Sequence, residues 1–211
     1  MPIKKIDITY CPDSSLGVTY HPRVWRDVKP GMVYVDVGAY NGGTVSKTLC
    51  LYPHLNVVAI EPLPKKFINM FEVHPEIISN TTFINKGCWS EKRRQRLHLR
   101  GGKLSGSTMF QEQTTHHHQE EVVVNVETLD NLLDEARIQN VNLLKIDTEG
   151  AEAHVLTGFT KYSSGTQFHI EYHYNLGPVL EALMKKPIAE IVIYVGKGGF
   201  GGSIVGVFSD G

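Results

Sequence analysis

Residues 32–43 read Met32-Val33-Tyr34-Val35-Asp36-Val37-Gly38-Ala39-Tyr40-Asn41-Gly42-Gly43. The first six are almost all apolar, which is typical of a parallel strand buried on both faces. The glycines then let the backbone turn sharply and approach a ligand closely. A helical pattern follows as far as about Tyr52, and the start of a helix presents free amide hydrogens. The segment therefore predicts a strand, a ligand-binding turn and a helix.

The same alternation of strand and helix continues after this segment. Residues 56–61 and 81–85 predict two more strands, separated by a helix that starts after Pro62 and Pro64 and ends near His74. This order is typical of an α/β domain with a right-handed parallel sheet. Further strands are predicted at 121–126, 141–146, 167–172, 189–195 and 203–208, the last two as a hairpin.

The length of 211 residues suits a single α/β domain. Residues 1–30 are broken by Pro12, Pro22 and Pro30 and are predicted to form an extension that packs on the domain, which spans 31–211. Residues 90–120 are predicted to be an insertion on the rim of the sheet. Within it, residues 95–100 alternate like a half-exposed strand, with Leu97 and Leu99 on one face and Arg96, His98 and Arg100 on the other.

The composition points to a water-soluble, cytoplasmic protein. The formal net charge is -1, so the overall charge favours neither a nucleic-acid partner nor a membrane surface. No apolar run approaches the roughly 18 residues that a membrane-spanning helix needs. The three cysteines are widely separated, which favours reduced thiols over a disulfide framework.

The glycine turn and a later acid predict a site for an adenosine-containing cofactor. The turn has the spacing D-x-G-x-x-x-G, which differs from the G-x-G-x-x-G that holds a dinucleotide pyrophosphate. Asp36 before the first glycine suits a cationic amino group, although a plain strand-to-helix connection also explains the turn. Glu61 ends the second strand, where it is placed to accept hydrogen bonds from ribose hydroxyls.

A third group of acids follows the strand at 141–146. Asp147 ends that apolar strand and is expected on the same rim of the sheet as Glu61. Glu149 and Glu152 follow closely in the segment KIDTEGAE. Because acids are common in the first turn of a helix, Glu152 is equally well explained as a partner of the helix dipole.

Four segments together resemble the FkbM family of class I S-adenosylmethionine-dependent methyltransferases. They are Val35–Ala39, Ala59–Pro62, Glu127–Asp130 and Leu144–Glu152, and the resemblance extends over about residues 26–173. The last segment is the most specific to the family. The resemblance implies a Rossmann-like α/β fold, with a mostly parallel seven-stranded sheet, an antiparallel last strand and helices on both faces.

The resemblance also implies S-adenosylmethionine as the cofactor. The turn 36–42 would face its methionine part, Glu61 its ribose, and residues 87–89 its adenine. The tyrosine and asparagine at positions 40 and 41 depart from the family, which more often has Asn followed by an apolar residue. The expected cofactor-binding residues are Asp36, Gly38, Ala39, Tyr40, Asn41, Gly42, Glu61, Pro62, Gly87, Cys88, Trp89 and Asp147.

The resemblance further implies methyl transfer to a hydroxyl of a small molecule or glycan. Asp147 and His173 are the candidate catalytic residues, and an ordinary histidine pKa would suit His173 for a base, although a surface role explains it equally well. Asp147, Glu149, Glu171 and His173 could together bind a divalent cation. Since spacing alone does not bring these four together, no metal site is assigned.

Two alternative functions remain open from the sequence. The basic segment 92–103 suits either a solvated edge strand or a contact with an RNA or nucleotide acceptor. A partner-binding module with the same fold and no catalysis is the third hypothesis. The run His116-His117-His118 lies among polar residues and is interpreted as a solvated loop rather than a metal site.

Overall fold

The computed structural model describes residues 5–10, 24–100, 103–108, 120–196 and 201–210. The strands are β1 Lys5–Tyr10, β2 Val33–Val37, β3 Asn56–Ile60, β4 Thr81–Ile84, β5 Gly87–Cys88, β6 Arg93–Arg100, β7 Lys103–Thr108, β8 Glu120–Glu127, β9 Leu143–Ile146, β10 Gln167–His173, β11 Ile188–Val195 and β12 Gly201–Phe208. The α-helices are α1 Gly43–Leu51, α2 Pro64–Val73, α3 Leu129–Glu135, α4 Glu152–Thr157 and α5 Leu176–Met184, and a 3₁₀-helix spans Pro75–Asn80.

The main sheet has the strand order β4-β3-β2-β9-β10-β12-β11-β1. Strands β4, β3, β2, β9 and β10 are parallel, whereas β12 runs antiparallel to both of its neighbours, β10 and β11. The predicted fold class is confirmed, including the antiparallel last strand. The chain order reverses between β2 and β9, and such a switch point opens a crevice at the carboxyl ends of the strands.

Helices cover both faces of the sheet because the central strands bury alternate residues on opposite sides. Val35, Val58 and Leu144 face a core that includes residues of α3, α4 and α5. Tyr34 and Val57 face the other core, which α1 and α2 complete. Strands buried on both faces explain why the sequence shows apolar runs there rather than strict alternation.

The N-terminal segment adds an eighth strand that the sequence pattern does not predict. β1 pairs in parallel with β11 at the edge of the main sheet, over the whole length of β1. Strands can pair through backbone hydrogen bonds whatever their side chains are. The weak apolar pattern of β1 therefore does not indicate a strand.

The rim segment forms a second sheet, with the order β5-β8-β6-β7. Leu97 and Leu99 of β6 are buried with Leu63, Trp89 and Val124 in a third apolar cluster. His98 is also buried, although the alternation in the sequence predicts it on the exposed face. The second sheet therefore covers one end of the crevice with apolar side chains.

The sequence analysis does not predict the helix α5, which contains Gly177 and Pro178. They lie in its first turn, where proline is tolerated, and the Asn175 side chain caps that turn by accepting the Gly177 N–H at 3.0 Å.

Among the described residues, no helix is long and apolar enough to span a membrane.

Candidate active site

A cavity of about 270 Å³ opens at the carboxyl ends of β2, β3 and β9. Most of the expected cofactor-binding residues line it, which places them together as the sequence predicts. These lining residues are Gly38, Ala39, Tyr40, Asn41, Glu61, Pro62, Gly87, Cys88 and Asp147. Asp36, Gly42, Trp89 and His173 do not belong to its lining.

Gly38 brings the ends of β2 and β9 into direct contact. Its φ is +86°, and a Cβ at this position would lie 1.8 Å from the backbone oxygen of Asp147. The Gly38 and Ala39 amides both donate to the Ile60 carbonyl at 3.0 Å, which ties the turn to the end of β3. Only glycine permits this approach, since any other side chain would displace backbone atoms.

Gly42 has a structural role at the start of α1. It adopts a φ of +81°, and a Cβ there would meet Ile77 and Met70 rather than the cavity. The expected contact of Gly42 with the cofactor is therefore indirect, through the shape of the turn.

Glu61 is buried and both of its carboxylate oxygens accept backbone amides. Tyr40 N–H donates to Oε2 and Leu63 N–H to Oε1, each at 2.9 Å. Burial raises the pKa of Glu61 to about 7, against the opposite effect of these two amides. Each oxygen keeps a second lone pair, so a carboxylate that lines the cavity can still accept the two hydroxyls of a ribose. The residues present therefore fit the adenosine part of S-adenosylmethionine.

Asp36 lies beneath the cavity and neutralises a buried lysine. Lys145 Nζ is 3.1 Å from Asp36 Oδ1 and 3.3 Å from Asp147 Oδ2, and the Thr44 hydroxyl also donates to Asp36. Burial alone would lower the pKa of Lys145, but the charges of Asp36 and Asp147 raise it above its ordinary value. Asp36 thus holds Lys145 and does not line the cavity, where the sequence predicts that it meets a cationic amino group of the ligand.

Lys145 lines the cavity, yet the sequence interpretation gave it no role. The only signal was a lysine within an otherwise apolar strand. A lysine that is 1% exposed requires a partner of opposite charge, and this requirement could have indicated the pair.

Asp147, Glu149 and His173, here called the Asp147 cluster, converge beside the cavity. His173 Nε2 is 3.9 Å from Asp147 Oδ1 and 3.6 Å from Glu149 Oε2. On the other side of the ring, His173 Nδ1 is 3.0 Å from Glu152 Oε1. The structure thus brings together the two candidate catalytic residues, which lie on different strand ends.

The surroundings change the acid–base character of His173. Burial alone would lower its pKa, but the hydrogen bond and charge of Glu152, with Glu149 and Asp147, raise the pKa of His173 to about 9. At neutral pH the ring therefore carries a proton in the absence of other ligands, unlike the ordinary histidine that the sequence interpretation assumes. Glu171 lies nearby on β10, where burial and the charge of Asp147 raise its pKa to about 7.

Trp89 lies behind the cavity wall rather than in it. Its ring is stacked on His154 at a centroid distance of 3.7 Å, and the Arg93 guanidinium lies 4.7 Å from its centroid. The adenine contacts expected of residues 87–89 are therefore available from Gly87 and Cys88, with Trp89 supporting them from the apolar cluster.

Within the segment 92–103, Lys92, Arg93 and Arg96 lie beside acids. Arg93 is 3.1 Å from Glu91, and Arg96 is 3.5 Å from Glu121. Such pairing agrees with a solvated edge strand. The side chains of Arg100 and Lys103 and the run His116–His118 lie outside the described residues.

The sequence profile of the methyltransferase FkbM domain matches residues 36–191. The chain therefore belongs to the FkbM methyltransferase family and is an S-adenosylmethionine-dependent methyltransferase. No curated protein matches the chain. The cofactor expected from the sequence is confirmed by this membership.

Solved structures show the same fold at low sequence identity. A putative rRNA-methylase from Clostridium thermocellum is 13% identical with a TM-score of 0.53, covering 87% of this chain and 90% of its own. A protein from Bordetella parapertussis described as possibly exported is 9% identical with a TM-score of 0.54, covering 90% of this chain and 66% of its own.

Proposed function

We propose that this FkbM methyltransferase methylates a hydroxyl group of a small molecule or a glycan. The observation that carries the proposal is the Asp147 carboxylate, which lines the cavity and whose side chain is 27% exposed. A hydroxyl must lose its proton as it becomes a methyl ether. Asp147 is placed to accept a hydrogen bond from such a hydroxyl and to orient its oxygen.

The cofactor would be held on the opposite side of the cavity. Glu61 would accept the ribose hydroxyls, and the turn that starts at Gly38 would lie against the methionine part. S-adenosylmethionine, when bound, supplies an already activated methyl group on a sulfonium. The chain therefore has to position the acceptor and exclude water rather than create an electrophile.

Several features of the cavity serve these two tasks. Ile60, Leu63 and Leu97 give it an apolar wall that excludes water. Lys145 holds Asp147 in place through the 3.3 Å ion pair. His173 approaches Asp147 and Glu149 from β10, so we assign it a role in positioning these carboxylates.

RNA as the acceptor receives less support. The Arg93 and Arg96 guanidinium groups already lie beside Glu91 and Glu121, so the segment offers less free positive charge than its sequence suggests. A small or glycan acceptor needs no such charge, which is why we favour it.

The test combines cofactor binding with product analysis. Calorimetry with S-adenosylmethionine, S-adenosylhomocysteine and NAD should show binding of the two sulfur compounds only. Incubation with a methyl-labelled cofactor and panels of hydroxylated small molecules, glycans and RNA should then yield a methyl ether, identified by mass spectrometry.

Asp147→Ala should abolish transfer while S-adenosylhomocysteine still binds. The control is Asp134→Ala, which removes an exposed aspartate paired with Lys161 on the surface and should leave transfer unchanged. Methylation found only on nitrogen or only on RNA would overturn the hydroxyl acceptor. A failure to transfer to any panel member would favour a module that binds partners without catalysis.

A further inference from the structure

We propose that the Asp147 cluster binds one divalent metal ion of the Mg²⁺ or Mn²⁺ type at the edge of the cavity. One ligand atom each from Asp147, Glu149 and His173 lie within 4.8 Å of one another. The proposal rests on the proposed function, because it specifies how the same site would receive a hydroxyl acceptor.

The distances within the cluster suit a shared ion. His173 Nε2 lies 3.6 Å from Glu149 Oε2 and 3.9 Å from Asp147 Oδ1, both beyond hydrogen-bond length. Around an octahedral ion with bonds of about 2.1 Å, adjacent ligands lie about 3 Å apart and opposite ligands about 4 Å apart. The two measured separations lie between these two values, so small side-chain adjustments would bring the ligands onto one ion.

The ligand types indicate which ion is expected. Two carboxylate oxygens and one imidazole nitrogen favour a hard cation such as Mg²⁺ or Mn²⁺. Softer metal ions are typically bound by thiolates or by several histidines. Three protein ligands leave positions open in a six-coordinate ion. Those positions face a cavity that Asp147 and Glu149 line, where an acceptor oxygen could bind and have its pKa lowered.

Glu152 orients the histidine as a ligand. Its Oε1 lies 3.0 Å from His173 Nδ1, which leaves Nε2 directed at the two carboxylates. Metal-binding histidines usually donate the other ring N–H to such a carboxylate. The same oxygen accepts the amides of Thr148 at 3.3 Å and Gly150 at 2.9 Å, so it also fixes the turn that carries the two ligands.

A buried orphan oxygen gives independent support for a cation. The Glu152 side chain is 1% exposed, and its Oε2 has no hydrogen-bond partner among the residues that the structure describes. A buried carboxylate oxygen without a donor is costly. A divalent ion beside His173, with the water it retains, would compensate the negative charge that Asp147, Glu149 and Glu152 bring together.

The experiment titrates the full-length protein with Mn²⁺ and follows the loss of the free-ion signal by electron paramagnetic resonance. One Mn²⁺ should bind per chain. Asp147→Asn and His173→Gln should each weaken binding at least about tenfold, and Glu152→Gln by about 10- to 100-fold. His54→Gln, an exposed histidine at the amino-terminal end of β3, is the matched control and should leave binding unchanged.

A second control removes the other candidate histidines, which lie at positions 116–118. Replacing His116, His117 and His118 together with alanine should leave the Mn²⁺ site intact. If this triple variant alone loses the ion, or if the wild-type protein binds none at millimolar Mn²⁺, the proposal is overturned. The wild-type titration decides the matter even if a cluster variant fails to fold, which circular dichroism would reveal.

Calorimetry on the same samples separates the two proposals. Binding of S-adenosylhomocysteine without any Mn²⁺ binding would reject the metal site and leave the methyltransferase site in place. Mn²⁺ binding with methyl transfer to nitrogen only would support the metal site and reject the hydroxyl acceptor.

Discussion

Glu61 and Asp147 occupy equivalent places in the fold but have different surroundings. Each is the first residue after a parallel strand, β3 or β9, and each lines the same cavity. Glu61 is 6% exposed and holds two backbone amides, and burial raises its pKa to about 7. Asp147 has a side chain that is 27% exposed and is paired with Lys145.

Position on the sheet therefore does not by itself set the chemistry of a carboxylate. Backbone amides and apolar walls suit Glu61 to accept hydrogen bonds from neutral donors, and we propose that the ribose hydroxyls are those donors. A buried lysine and nearby acids make the Asp147 side of the cavity a charged site. Three substitutions test this contrast between the two sides.

The largest expected effect comes from Lys145→Met, which removes the cation from the charged side. Asp36 is fully buried and would lose its only ion-pair partner among the described residues, so the free energy of unfolding should fall by about 3–5 kcal/mol. Urea denaturation measures the change. The control is Lys185→Met, an exposed lysine paired with Glu181, which should cost at most about 0.5 kcal/mol.

If Lys145→Met and Lys185→Met lower the free energy of unfolding equally, the buried ion pairs of Lys145 add no stability on the Asp147 side of the cavity. The contrast with Glu61 would then depend on solvent exposure alone.

Glu61→Gln tests the Glu61 side of the cavity through the pH dependence of S-adenosylhomocysteine binding. The carboxyl ionises as pH rises through about 7, and the ionised form accepts stronger hydrogen bonds from hydroxyls. The affinity of the wild-type protein for S-adenosylhomocysteine should therefore increase across this range. Glu61→Gln should remove that dependence and weaken binding about 10- to 100-fold above pH 7, equivalent to about 1.5–3 kcal/mol.

Calorimetry at several pH values measures the affinity, with Glu72→Gln on the exposed face of α2 as the control. A Glu61→Gln profile that still rises through neutral pH would show that another group controls cofactor binding.

Gly38→Ala tests the contact that joins the two sides. The added Cβ would lie 1.8 Å from the Asp147 backbone oxygen, whereas the same change at Gly165 meets nothing within 4 Å. Both glycines have positive φ, so their strain is similar and the comparison isolates the steric overlap. Gly38→Ala should cost about 1–3 kcal/mol more than Gly165→Ala in thermal or urea unfolding.

Equal costs for the two glycine variants would mean that the ends of β2 and β9 separate easily. The cavity would then tolerate a wider spacing between Glu61 and Asp147 than the structure shows.

The sequence predicts the elements around the cavity well, because their signals are local. Apolar runs followed by glycine or an acid identify β2, β3 and β9 with their turns, and most expected cofactor residues line the cavity. The weaker predictions concern contacts between distant segments. The sequence correctly places Trp89 after a strand. It does not predict that the Trp89 ring stacks on His154, 65 residues further along the chain.

The order of strands and helices, the glycine turn and the two acids at strand ends can be predicted from the sequence. These follow from periodicity and from the conformations that glycine allows, which are properties of neighbouring residues. Only the folded chain shows that Asp36 meets Lys145, that Glu152 orients His173, and that β1 pairs with β11. Each of these contacts joins segments far apart in the chain, where charge, burial and backbone pairing are set by packing and leave no local pattern.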